Sequence, residues 1–181
     1  KSRILLACLL LIFPFISYSQ LVVNERKPET PPPNTRPEHT WQNILSYTIS
    51  VSPDYNSKTI KGTNDIEFLA LQPGNAIWID LEERMRITSI IWNKKKLQFQ
   101  REKEGYRVRF PNEIPKDNIE SIKIAFEGQP REALDAPNDN GWIWSRDEKG
   151  RPWITVACQG SGASIWLPCK DELYDEPDNG V

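Results

Sequence analysis

The sequence predicts an all-β fold: an antiparallel β-sandwich or saddle-shaped pair of sheets over residues 41–181, preceded by a signal peptide and a Pro-rich linker. Three observations carry the β expectation. Apolar residues recur at every second position, as where Leu45, Tyr47, Ile49 and Val51 alternate with Ser46, Thr48, Ser50 and Ser52. Turn-forming clusters punctuate such runs roughly every ten residues, the spacing of short-stranded sandwiches. No segment holds an apolar helical period over several turns. A stretch of about 140 residues is long enough to bury some 68–70% of its unfolded surface, so a real core is expected.

The strands follow in order. After the first, Pro53-Asp54-Tyr55-Asn56-Ser57 reads as a turn. The next places Ile60, Gly62, Asn64, Ile66 and Phe68 on one parity, with Gly62 and Asn64 weakening it. Strands at 76–81 and 85–92 flank Glu82-Glu83-Arg84, and 96–100 with 106–110 forms a hairpin across Glu102-Lys103-Glu104-Gly105. Lys94-Lys95-Lys96 belongs to a solvated hairpin tip. Residues 120–127 set Ile122, Ile124 and Phe126 on one face, Trp142 and Trp144 share a face of a short strand, and 153–158 is the last strand. No repeat at a fixed period is present.

Residues 1–19 have the layout of a secretory signal peptide: Lys1 and Arg3, an apolar run from Ile4 to Ile16, then Ser17-Tyr18-Ser19 before a cleavage site at Gln20. That run is shorter than the ~20 residues of a spanning helix, so no stable membrane span is expected after its removal. Most of the apolar run follows Cys8, which argues against a lipidated cysteine there. The expectation is a secreted or periplasmic protein, and both ends, Lys1 and Val181, read as cut. Residues 20–40 form a linker in which Pro28, Pro31, Pro32, Pro33 and Pro37 favour an extended chain, with His39 as a solvated residue.

Without residues 1–19 the chain has 21 Lys and Arg against 25 Asp and Glu, a formal charge of −4. Neither that balance nor any basic cluster beyond Lys94–Lys96 favours nucleic acid. Cys158 and Cys169 could pair in an oxidising compartment, or remain two buried thiols. With a single histidine in the chain, they make a poor zinc site, which wants four nitrogen or sulfur ligands. Asp171, Glu172, Asp175, Glu176 and Asp178 lack the order of a calcium loop and read as solvated charge or as ion pairs to a further domain.

The most informative stretch is 153–177, WITVACQGSGASIWLPCKDELYDEP: a β-type run, a Gln-Gly-Ser-Gly loop, an aromatic anchor, then Pro168-Cys169-Lys170-Asp171. Upstream, Tyr47-Thr48-Ile49-Ser50-Val51 precedes Ile60-Lys61-Gly62-Thr63-Asn64-Asp65-Ile66-Glu67-Phe68, then Ala76–Leu81 and Met85–Ile90. Gly141-Trp142 and Gly150-Arg151-Pro152-Trp153-Ile154 lead into the loop. In order and spacing these pieces resemble the N-terminal domain of the aminopeptidase N family of zinc metallopeptidases, which includes leukotriene hydrolase. The resemblance implies a domain that caps the substrate cleft of a peptidase. Matching Pro168-Cys169-Lys170-Asp171 to the family's P-C-x-D places Gln159 at the Gln or Glu that holds the substrate's α-amine. Gly160 lies beside it in the same substrate-binding loop.

The resemblance also implies a zinc ion held by a His-Glu-x-x-His helix in a following catalytic domain. Neither that motif nor the family's Gly-x-Met-Glu-Asn strand occurs here, so no catalytic residue and no metal ligand is assigned. The expected partners are a peptide substrate and the chain's own downstream domain. Two other readings remain: a stand-alone module in which Trp142 and Trp144 stack on sugar rings or meet a protein, and a non-catalytic relative of the family.

Overall fold

The computed structural model describes residues 35–135 and 138–181; the expected signal peptide and most of the expected linker lie outside them. The chain builds ten strands: β1 (Gln42–Asp54), β2 (Thr59–Ala70), β3 (Gly74–Asp80), β4 (Met85–Trp92), β5 (Lys95–Lys96), β6 (Gln98–Glu102), β7 (Gly105–Ile114), β8 (Ile119–Gly128), β9 (Gly141–Arg146) and β10 (Pro152–Ala157). They form a five-stranded sheet ordered β1-β2-β8-β4-β5, a three-stranded sheet ordered β3-β7-β6, and the two-stranded β9–β10 hairpin. Every strand pairing is antiparallel. The all-β sandwich expected from the alternation is the observed fold.

The alternation sets which side chains meet. Ile60, Ile66, Phe68, Ile87, Ile90, Ile122, Ile124 and Phe126 of the larger sheet share one apolar core with Ile77, Ile79, Tyr106, Val108 and Phe110 of the smaller. Phe110 sits at the seam, edge-on to Trp92 at 5.4 Å and to Trp41 at 6.3 Å, with Phe68 6.2 Å away. Tight turns close the hairpins. Asn93 and Lys94 have φ of 47° and 63°, as a two-residue turn between Trp92 and Lys95 requires, and Lys94–Lys96 are exposed as expected.

Two departures from simple alternation matter. A bulge between Ile44 and Ser46 buries Ile44 in the core and leaves Leu45 only half-buried, although parity with Tyr47 points Leu45 inward. The freed backbone of β1 is taken up by the C-terminal tail. Asp175 accepts from Ile44 N, while Asp178 N and Asn179 N donate to the Ile44 and Leu45 carbonyls at 3.3 and 2.7 Å. The tail thereby covers part of an edge strand that would otherwise expose unpaired groups.

The second departure is at the start. Residues 36–41 pack against the smaller sheet instead of trailing in solvent. Arg36 lies over the Trp78 ring at 4.1 Å, Glu38 pairs with Arg107, and Trp41 donates to the Ala76 carbonyl at 2.7 Å. Trp41 also explains Gly74, where a Cβ would fall 2.3 Å from the indole. His39, expected to be solvated, is 2% exposed in the short α1 helix, Pro37–Thr40.

Part of the acidic tail is likewise turned inward, with Asp175 buried while Glu176 and Asp178 stay exposed as expected. Asp175 pairs with Lys170 in the interior, and Lys170 Nζ donates also to the Gln42 carbonyl at 2.8 Å. Burial raises the Asp175 pKa and lowers that of Lys170, each opposed by the charge of the other. Asp175→Ala strands a buried ammonium and the Ile44 N–H together. We expect a loss of about 3–5 kcal/mol, read as a lower urea midpoint.

Candidate functional site

The β9–β10 hairpin delivers the chain to the loop that carries Gln159 and Gly160. Past Ala157 the backbone doubles back, with Ser161 N and Gly162 N both donating to the Cys158 carbonyl at 3.1 Å. Gly160 and Gly162 adopt φ of 77° and 74°, a region that residues with a Cβ enter at a cost. Gly162 has a second reason to be glycine: a Cβ there would lie 2.1 Å from the Asp171 carboxylate. A short 3-10 turn, Ala163–Ile165, follows, and Asp171 Oδ2 accepts from its Ser164 N at 3.0 Å.

The loop ends in a strap bound residue by residue to the sandwich. Asn64 Nδ2 donates to the Pro168 carbonyl at 2.9 Å, and Cys169 bridges Asp80 through paired backbone bonds. Lys170 N donates to the Tyr47 hydroxyl at 3.1 Å, and Asp171 N to Asp80 Oδ2 at 2.9 Å. Asn64, which weakens β2 as an apolar pattern, is fully buried because it makes this anchor. Asp171 and Asp175 are neither simply solvated nor reserved for another domain. The same holds for Glu172, 2.7 Å from His39 Nδ1, and for Asp178, which accepts from Asn43 at 2.7 Å.

The electrostatic centre beneath the strap is Asp80. Oδ1 accepts from the Trp78 indole at 2.8 Å, while Oδ2 faces Asp171 N and, at 3.4 Å, His39 Nε2. Burial pushes the Asp80 carboxyl up, but the His39 contact and the Asp171 N–H outweigh it and hold the pKa below the ordinary Asp value. Cys158 and Cys169 are free thiols, and burial raises the pKa of both. The pairing alternative is therefore not the state observed.

Gln159 and Gly160 lie side by side and exposed. Among the described residues the Gln159 carboxamide makes no hydrogen bond. Its backbone carbonyl is occupied, accepting from Asn140 Nδ2 at 2.6 Å; the same nitrogen donates to Ser161 Oγ at 2.8 Å. Sequence reasoning missed Asn140. The Asn140-Gly141 pair reads locally as a turn, and nothing in it signals a partner some twenty residues on.

Trp142 and Trp144 do share a face, and that face is filled. The rings stack on each other at 5.4 Å, Trp166 meets Trp142 edge-on at 5.5 Å, and Tyr55 meets Trp144 at 6.2 Å. Among the described residues, no group of three or more His, Cys, Asp or Glu side chains could hold a metal ion. His39 lies between the Asp80 and Glu172 carboxylates, and the described residues do not make up a zinc site. No helix among them is long and apolar enough to cross a membrane.

No protein-family model matches the sequence, and no curated protein does. Solved structures do share the fold. An M1 zinc metallopeptidase from Deinococcus radiodurans is similar at 19% identity and a TM-score of 0.58, over 74% of this chain and 30% of that one. A mutant of it bound to a Tyr-Ser-Ala substrate, and a two-domain M1 zinc metallopeptidase mutant bound to L-arginine, match at 18% identity and the same TM-score. At such identity the likeness establishes the fold, and this chain spans 30% of the length of those enzymes.

A depressed carboxyl pKa stabilises the fold above the unfolded value, near 4, and the contribution is lost as pH falls through the folded value. Asp80 should therefore contribute fully at pH 7 and progressively less below about pH 4. Asp80→Asn is expected to lower the urea midpoint at pH 7 and to flatten its fall between pH 5 and about pH 3. An equally steep acid limb in the variant would contradict this.

Proposed function

We propose that this chain is the β domain of an exported zinc metallo-aminopeptidase of the aminopeptidase N type. It would cap the substrate cleft of a following catalytic domain. The observation that supports this best is the Gln159 carboxamide: exposed, without a hydrogen bond among the described residues, and mounted on a loop fixed at both ends. A peptide's terminal ammonium carries three donors, and a carboxamide oxygen can accept one. Gly160, with no atom within 4 Å of where a Cβ would stand, leaves room for backbone or substrate to come close. The fold neighbours include an enzyme bound to a Tyr-Ser-Ala substrate, a molecule with a free amino end.

The docking face we assign to the downstream domain is the open side of β9–β10. Alternation turns Trp142 and Trp144 inward with Ile154, while Ile143, Ser145, Trp153 and Thr155 share the opposite side, where Trp153 is 58% exposed. An exposed tryptophan beside a substrate loop suits a partner surface better than open water. Zinc, the general base and the side-chain pocket are assigned to residues outside this chain. The sugar-binding alternative loses its support because its ring faces pack on one another.

In the full-length protein, Gln159→Ala should reduce kcat/KM on peptides with a free amino terminus by about 10- to 100-fold, the effect of one charge-assisted hydrogen bond. An unchanged kcat/KM would sink the assignment of Gln159. The chain ending at Val181 should neither hydrolyse peptides nor bind stoichiometric zinc. Either activity would overturn the division of labour.

A further inference from the structure

We propose that Asn140 is a positioning residue for substrate recognition, acting through Gln159; the proposal rests on the reading of Gln159 given above. The loop from Gln159 to Gly162 is poor in intrinsic rigidity. It contains two left-handed glycines, and no atom would contact a Cβ at Gly160. Its downstream end is fixed by Asp171, which lies against Gly162 and accepts from Ser164 N. Its upstream end, where the carboxamide projects, is held by the Asn140 side chain. Asn140 Nδ2 has two hydrogens, and both are used on this loop: one on the Gln159 carbonyl and one on Ser161 Oγ.

Asn140 is itself held from behind. The Asp139 carboxylate accepts from Arg131 Nη2 at 2.7 Å, from Leu134 N at 3.2 Å and from Asn140 N at 2.8 Å. Gly141 then lets the chain pass against the backbone of residues 131–133, where a Cβ would come within 2.5 Å of the Arg131 carbonyl. A braced turn therefore presents a two-pronged donor to the loop. The carbonyl it grips belongs to the same residue as the substrate-facing carboxamide. Holding that peptide plane fixes the direction in which the Gln159 side chain leaves the backbone, and so lowers the ordering needed when an ammonium binds.

The test is a double-mutant cycle in the full-length protein, with alanyl-p-nitroanilide as substrate. Asn140→Asp keeps the shape but removes both donor hydrogens: it sets a carboxylate against the Gln159 carbonyl, a repulsion, although Ser161 can turn its hydroxyl to donate to it. The variant should lower kcat/KM about tenfold, chiefly through KM. Ser161→Ala removes one of the two acceptors and should cause a smaller loss of the same kind; it also keeps the test available if Asn140→Asp does not fold. Because both act through Gln159, neither should lower kcat/KM further in a Gln159→Ala background. A wild-type Asn140→Asp enzyme, or an undiminished effect on top of Gln159→Ala, overturns the positioning role alone. A Gln159→Ala enzyme equal to wild type overturns the reading of Gln159 and the role of Asn140 with it.

Discussion

The structure depends on the strap from Pro168 to Asp171, whose backbone must be satisfied where it crosses buried ground. An unpaired peptide group there would cost about 1–3 kcal/mol, and four consecutive residues cannot all be left so. The sandwich meets the demand from three strands: Asn64 on β2 serves Pro168, Asp80 on β3 serves Cys169 and Asp171, and Tyr47 on β1 serves Lys170. The side chains that do this sit at core-facing positions of strands that are otherwise apolar. Asn64 and Tyr47 spend their polarity on the strap, and Asp80 shares its own with Trp78 and His39.

Much else follows from that fixture. Lys170 is carried into the interior by the strap, so it needs a counter-charge, and Asp175 supplies one while also accepting from Ile44 N. Ile44 is satisfied in this way at the bulge of β1, where the Ile44 and Leu45 carbonyls accept from the tail at Asp178 and Asn179. Asp171, set by its N–H bond to Asp80, turns its carboxylate back onto Gly162 and Ser164. The loop bearing Gln159 is thus tied, through two residues, to the electrostatic centre at Asp80, where His39 and Trp78 also converge.

The strands were legible because alternation is a local signal, and the 85–92 run matches β4 in full. The bulge was not, because the tail groups that bond beside it lie some 130 residues away in sequence. Asn64 was legible in hindsight of a general kind: a polar residue on the apolar parity of a strand is a cost unless something buried pairs with it. The acidic run from Asp171 to Asp178 misled because composition favours solvation, whereas its partners His39, Asn43, Lys170 and the Ile44 N–H are scattered along the chain. His39 misled for the same reason. Gln159 came only from a resemblance of motifs, and Asn140 from neither pattern nor resemblance.

The choice of a carboxamide at position 159 fits the rest of this design. The carboxylates of the strap and of the tail behind it are already committed: Asp171 to the loop backbone, Glu172 to His39, Asp175 to Lys170. A carboxylate at 159 would bind an ammonium more strongly, but closing a cleft over it would desolvate an ion. A neutral acceptor avoids that penalty and gives up part of the attraction. What it gives up in charge it must recover in geometry, since a charge-assisted hydrogen bond to a neutral acceptor is more directional than an ion pair. A loop with two glycines offers no such direction by itself. In the proposed arrangement, the bracing by Asn140 on one side and Asp171 on the other is what makes a neutral residue sufficient.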